Sequence, residues 1–201
     1  MARNDFTTHL LSVAEQLRQA ATTDLADRME RTIDCVADAL MQGRPMLVCG
    51  NGGSASDAMH IAGELVGRFL LERPGLKVIS LVSDVAVLTA WSNDYSYDTV
   101  FARQVEAYGE RGGIVLGLST SGNSKNVIRA FEQAARMNMT TIALTGEGGG
   151  QLAPLADILL DVPSRSTPRI QEMHICLYHY LCEKVEQRVA AQKSPIAPVL
   201  E

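Results

Sequence analysis

The sequence predicts an α/β protein: a five-stranded parallel sheet flanked by helices, preceded by an N-terminal helical hairpin. Three observations carry this reading. Short, continuously apolar runs recur at "MLVCG" (46–50), "LKVISLV" (76–82), "GIVLGLS" (113–119), "TTIALTG" (140–146) and "DILLDVP" (157–163). Stretches of helical periodicity separate several of them, the alternation of a parallel sheet covered on both faces. The first 43 residues hold no such run and read as helix.

Taken in order, "DFTTHLLSVAEQLRQA" and "LADRMERTIDCVADALMQG" place apolar residues three and four apart. The second stops at Gly43, and Pro45 follows, a helix stop. Residues 1–43 are therefore expected to pack on the core and on an oligomer interface, with the α/β domain over 44–201. Within that domain helices are expected over 55–69, 97–108 and 124–137, and from about 168 to 191. The tail "SPIAPVLE" is expected to fray. No repeat, linker or low-complexity segment interrupts the chain.

Composition narrows the function. The 201 residues are 46% hydrophobic and 20% charged, enough for one substantial core. The net charge of −5 and the lack of any long run of one sign argue against nucleic acid and anionic membranes as partners. No stretch of about 18 uncharged apolar residues exists to span a membrane. "MARNDFTTHLL" shows no secretory leader, so a cytoplasmic location is expected. Cys35, Cys49, Cys176 and Cys182 are spaced for neither a zinc knot nor a disulfide framework, and read as buried, reduced thiols.

In open α/β sheets the ligand sits beyond the carboxyl ends of the strands. Three such ends are rich in small polar residues: "CGNGGSASD" (49–57), "STSGNS" (119–124) and "LTGEGGG" (144–150). Ser54 or Ser56 is expected to cap the helix after the first loop. Ser119, Thr120, Ser121 and Ser124 can complete a phosphate's hydrogen bonds at a helix N-terminus. "GNGGSA" lacks dinucleotide-fingerprint spacing, and no P-loop lysine follows, so a phosphate monoester on a small molecule is the expected anion. Well-capped turns without a ligand are the plainer alternative.

"CGNGGSASDAMHIAGELVGRF", "LTAWSNDYSYDTVFARQVEAYG", "LGLSTSGNSKNVIRA", "LTGEGGG" and "RIQEMHICLYHYLCE" together resemble the sugar isomerase (SIS) domain, and more narrowly the phosphoheptose isomerases. The likeness spans almost the whole chain. It implies a single SIS domain that interconverts sedoheptulose 7-phosphate and D-glycero-D-manno-heptose 7-phosphate, a seven-carbon sugar phosphate step toward lipopolysaccharide or capsule. It also implies that the serine loop holds the phosphate. Substrate contacts implied by the resemblance are Asn51, Gly52, Gly53, Ser54, Glu64, Asn93, Asp94, Ser119, Thr120, Ser121, Ser124 and Gln171.

Moving a carbonyl between C1 and C2 needs a base for a carbon-bound proton and an acid for the oxygens. On 55–69, Ala58, Ile61, Ala62, Leu65 and Phe69 form an apolar stripe, with Asp57, His60, Glu64 and Arg68 on the other side. His60 and Glu64 are i, i+4 and can meet one object, or form an incidental solvated pair. The resemblance makes Glu64 the general base and His179 the general acid. His174, alone on an apolar helix, reads as a hydrogen-bonded core histidine. The resemblance further implies one Zn²⁺ per subunit held by His60, Glu64, Gln171 and His179, although a ligated carboxylate is a poor base.

The last helix is apolar nearly all round at Ile170, Met173, Ile175, Leu177, Tyr180, Leu181 and Val185, which asks for a partner surface. Gln171 and His179 lie about 12 Å apart along one helix. A homotetramer with shared active sites, His179 coming from a neighbouring chain, is therefore expected. Two departures bear on substrate fit: Pro168 stands where some members of the family carry an acidic residue that contacts substrate, and Trp91 stands where smaller residues are common. Two other functions compete. A non-catalytic SIS protein that regulates replication initiation keeps the serine loop but lacks the acid–base pair, and a sugar-phosphate-sensing regulator would carry a DNA-binding segment.

Overall fold

The computed structural model describes residues 5–192; the "SPIAPVLE" tail lies outside the described residues. The chain opens with α1 (Phe6–Ala20), capped by the Asp5 side chain, and α2 (Leu25–Met41). Helix α2 turns Leu25, Met29, Ile33, Val36 and Leu40 inward at helical spacing. It is tied to the far sheet edge by Arg28, which donates to the Leu159 carbonyl (2.7 Å) and the Asp161 carboxylate (2.6 Å).

Strands β1 (Met46–Gly50), β2 (Val78–Ser80), β3 (Ile114–Ser119), β4 (Thr140–Thr145) and β5 (Ile158–Asp161) form one sheet in the order β2-β1-β3-β4-β5. Every pairing is parallel. All five residues of β1 and all six of β3 are buried, because helices cover both faces. One core packs α2, α3 (Gly53–Val66) and α7 (Thr167–Gln192) on one face; α5 (Val100–Tyr108) and α6 (Lys125–Arg136) cover the other. Strand order reverses between β1 and β3, so the loops leaving Gly50 and Ser119 open side by side at the switch point.

Three expectations about elements need correction. Strand β2 is only three residues long. Helix α3 begins at Gly53 and ends at Val66, not at 69, because the amides of Phe69, Leu70 and Leu71 are captured by the Glu186 side chain. An unforeseen helix, α4 (Val85–Asp94), starts where Asp84 accepts from the Val87 N–H (3.0 Å). Its β-branched Val85, Val87 and Thr89 weaken the helical signal, and none of its residues is buried. The cysteines are all free, but only Cys49 and Cys182 are buried and Cys176 is exposed. Burial pushes both buried thiols up to about 12.

Candidate active site

The loops at the switch point are braced by their own side chains. Asn51 and Asn126 exchange amide hydrogen bonds at 2.9 and 2.8 Å, joining the end of β1 to the start of α6. The Tyr97 hydroxyl also donates to Asn51 Oδ1 (2.8 Å), which fills that acceptor. Asn51 thus serves as a brace between loops. Helix α3 is capped by Gly52 without any side-chain bond, so neither Ser54 nor Ser56 acts as its cap; Ser54 is buried in the first turn. A Cβ on Gly53 would stand 2.4 Å from Gln171 Nε2, so glycine is what lets the Gln171 amide lie against the start of α3.

In the serine loop, the hydroxyls of Ser119 and Ser124 are 2.8 Å apart. Ser124 is the N-cap of α6 but makes no side-chain capping bond, so its hydroxyl is turned to Ser119 across the loop mouth. Ser121 is exposed, and its hydroxyl accepts from the Asn123 N–H (3.2 Å). Thr120 is half-buried, and its carbonyl accepts from the Gly146 N–H (3.0 Å). The third glycine-rich loop buttresses this one. Leu152 N–H donates to the Gly122 carbonyl (3.0 Å) and Gln151 N–H to Asn123 Oδ1 (3.1 Å). Gly122, at φ +65°, sits where a Cβ would fall 2.0 Å from the Gly149 carbonyl oxygen. Neutral donors on a helix start, held by packed glycine backbone, suit a phosphate.

The titratable groups lie further along α3, where it packs beside α7. His60 Nε2 stands 2.9 Å from Glu64 Oε1, a contact that the i, i+4 spacing permits. His60 Nδ1 lies 3.0 Å from the Tyr178 hydroxyl, which in turn reaches Asp57 Oδ1 at 3.3 Å. Burial raises the Asp57 carboxyl, against the opposing Tyr178 hydrogen bond and His60; burial and then Asp57 push the Tyr178 phenol up. Asp57 is thus buried, where the sequence reading put it on the polar face. The His179 ring stands edge-on to His60 with centroids 5.0 Å apart, and Phe69 closes its other side at 5.7 Å. The pair remains reachable: His60 and Glu64 side chains are 45% and 23% exposed.

Helix α7 runs in the same sense as α3, so Gln171 meets Gly53 and His179 meets His60 within one chain. The separation of Gln171 from His179 therefore needs no second chain to explain it. Between them, His174 is fully buried, and its Nε2 lies 3.1 Å from the Thr145 carbonyl, the expected core histidine. Burial lowers it to about 4.

Sequence reasoning missed the clasp that sets this seam. Glu186 and Arg73 pair at 3.2 Å with side chains only 1% exposed. Glu186 accepts from the amides of Phe69, Leu70 and Leu71 at 2.8, 2.6 and 2.8 Å. Burial alone would raise its carboxyl, but those donors and Arg73 outweigh burial and hold it low. Arg73 also donates to the Glu64 carbonyl (2.8 Å), fixing the end of α3. The available signal was a lone Glu186 at buried spacing from Cys182, Val185 and Val189. Asn93 and Asp94, at the end of α4, bond to each other (2.9 Å) and lie exposed.

Imidazole nitrogen, carboxylate and amide oxygen are donors that suit Zn²⁺ in kind. His60 Nε2 and Glu64 Oε1 already converge. Among the described residues of one chain no three His, Cys, Asp or Glu side chains gather around a common point, so the set is open rather than a closed cage.

An open sheet of order β2-β1-β3-β4-β5, with an anion loop at the switch point and a carboxylate–imidazole pair further along the helix that leaves β1, suits the class of small-molecule α/β enzymes. The comparisons narrow that class. The family model described as the SIS domain matches residues 9–146. A phosphoheptose isomerase of Helicobacter pylori is 51% identical over 166 residues, covering 83% of this chain and 86% of its own. The solved phosphoheptose isomerase of Neisseria gonorrhoeae is 39% identical at TM-score 0.84, covering 90% of this chain and 96% of its own. That of Francisella tularensis is 36% identical at TM-score 0.88, with 93% and 99% covered. The chain belongs to the SIS-domain phosphoheptose isomerases, and is a sugar-phosphate isomerase of heptose synthesis.

Proposed function

We propose that the enzyme converts sedoheptulose 7-phosphate to D-glycero-D-manno-heptose 7-phosphate through an enediol, as a step toward lipopolysaccharide or capsule. The observation that carries this reading is the gathering of Glu64, His60 and His179 on the seam of α3 and α7, with α3 being the helix that leaves the β1 loop at the switch point. Glu64 lies 11 residues beyond Gly53, about 16 Å along the helix. In this reading the sugar's phosphate rests at Ser119, Thr120, Ser121 and Ser124, and its carbonyl end meets Glu64, whose side chain leans back toward the start of the helix.

The proton steps balance. Glu64 removes a proton from C1 while His179 gives one to the C2 oxygen, forming the enediol. Glu64 then returns its proton to C2, and His179 recovers one from the C1 oxygen, leaving the aldose. Each partner contributes roughly 10²–10⁴-fold in such a step. One Zn²⁺ per subunit would take His60 and Glu64 as ligands with His179 beside them. Gln171 in its own chain lies against Gly53, so that ligand would be supplied by a neighbouring chain. The ion would serve as a Lewis acid that polarises the sugar's oxygens. Glu64 acts as base only when it is free of that ion.

The apolar surface around the seam supports assembly with further copies of the chain, which we take to be a homotetramer. Met59, Val66, Leu70, Leu71 and Ile175 are between 39% and 62% exposed beside His60 and Glu64, and Phe6, Leu10 and Leu11 of α1 are more than half exposed. A neighbouring chain covering that rim would complete the site, which is the sense in which sites are shared. The four free thiols fit a reducing, cytoplasmic setting.

The test is incubation of the purified protein with sedoheptulose 7-phosphate while watching for an aldose. Turnover of another ketose phosphate but not this one would overturn the substrate. Mixing Glu64→Gln with His179→Ala chains under exchange conditions should restore no activity if both residues act within one chain, and recovery would place them on different chains of one site.

A further inference from the structure

We propose that Tyr178, anchored by Asp57, is a positioning residue that aims His60 Nε2 at Glu64. This rests on the zinc reading above and goes beyond it, since neither residue belongs to that ligand set.

The four groups form one continuous chain. Asp57 Oδ1 lies 3.3 Å from the Tyr178 hydroxyl, that hydroxyl 3.0 Å from His60 Nδ1, and His60 Nε2 2.9 Å from Glu64 Oε1. Tyr178 is fully buried, and its ring packs edge-on against His60 with centroids 5.4 Å apart. The Tyr178 and His179 rings bracket His60 edge-on, and the buried Tyr178 hydroxyl is the polar contact that sets Nδ1 inward and leaves Nε2 facing Glu64.

The direction of the hydrogens follows from the role of Nε2. An imidazole that gives its Nε2 lone pair to a cation carries its proton on Nδ1. With a cation on Nε2, that Nδ1–H donates to the Tyr178 oxygen. The Tyr178 proton then goes to Asp57 Oδ1. Without a cation, a neutral His60 donates from Nε2 to Glu64 Oε1 and accepts from the Tyr178 hydroxyl at Nδ1. Asp57 Oδ2 is buried without a partner, so the carboxyl is tied to the rest of the molecule through this contact. Such outer partners of a metal-bound histidine are typically worth about 10–100-fold in metal affinity or activity.

The measurement is Zn²⁺ affinity of the full chain by competition with a chromophoric chelator, wild type against Tyr178→Phe. The variant keeps the ring and removes only the hydroxyl. Affinity should fall about 10–100-fold. In zinc-loaded wild type, ¹⁵N-histidine NMR should show a slowly exchanging proton on His60 Nδ1 that is lost in the variant. Should Tyr178→Phe fail to fold, Asp57→Asn carries the same test with the phenol in place, and its affinity should fall at least threefold. Zinc binding in wild type with equal affinity in the variants overturns this inference alone. A wild type that binds no zinc overturns the zinc reading and this inference together.

Discussion

The two ends of α3 follow different physical rules. At its start, the switch-point loops hold neutral groups: serine hydroxyls, paired amides and packed glycine backbone. Two turns on, the seam with α7 concentrates the titratable ones: Asp57, His60, Glu64, Tyr178 and His179. An anion is held well by fixed donors at a helix start, while proton transfer needs groups that change charge. The division implies that damage at the loops should fall on binding and damage at the seam on rate.

The sharpest way to break that contrast is Glu64→Gln. The amide keeps the shape beside His60 but loses the basicity. We expect kcat to fall about 10²–10⁴-fold with KM moved little. A variant retaining a tenth of wild-type kcat would remove Glu64 from the base role. The complementary change at the loops is Gly122→Ala. Its φ of +65° and the 2.0 Å approach to the Gly149 carbonyl leave no room for a methyl. Forcing one in should cost about 2–3 kcal/mol of stability and push the third loop off the serine loop. Thermal unfolding reads the first effect, and a raised KM the second.

Smaller substitutions sharpen the contrast. Ser124→Ala removes the hydroxyl that faces Ser119, and Ser121→Ala an exposed one at the loop tip. A hydrogen bond to a charged phosphate is worth about 1.5–3 kcal/mol, so KM should rise about 10–100-fold with kcat nearly kept. Inorganic phosphate should compete with substrate in wild type. Unchanged KM in both variants would make this loop structural.

The two ends also differ in how far the sequence disclosed them. Strands β1 and β3 are short apolar runs ending in glycine and serine, so both loops were visible as strand ends. The i, i+4 pair of His60 and Glu64 was legible from periodicity. What the linear pattern hides is whatever depends on which helix packs on which. Asp57 looked solvent-facing until α7 covered it, and the meeting of His179 with His60 needs the parallel lie of two helices distant in sequence. The Arg73–Glu186 clasp spans 113 positions (186 − 73), beyond any local period. Helix α4 escaped for a different reason: nothing in it is buried, so it has no apolar stripe to read.

One residue lies between the two regions and allows a test by pH. His174 sits on α7 between Gln171 at the loop end and His179 at the seam, bonded to the Thr145 carbonyl at the end of β4. Its folded value is lowered by burial from 6.5 to about 4. The folded protein therefore keeps it neutral where the unfolded chain already binds a proton. Between those two values the unfolded state holds more protons, so stability rises with pH. The contribution is fully present above pH 6.5 and is lost as the pH falls toward 4. The whole span corresponds to on the order of 3 kcal/mol. Urea unfolding at about pH 5 should find wild type weaker than at neutral pH by about 2 kcal/mol from this group. His174→Gln retains a donor for the Thr145 carbonyl without a titratable ring, so it should flatten that part of the slope. Equal slopes in the two proteins would mean that His174 is protonated, or reached by water, in the folded state.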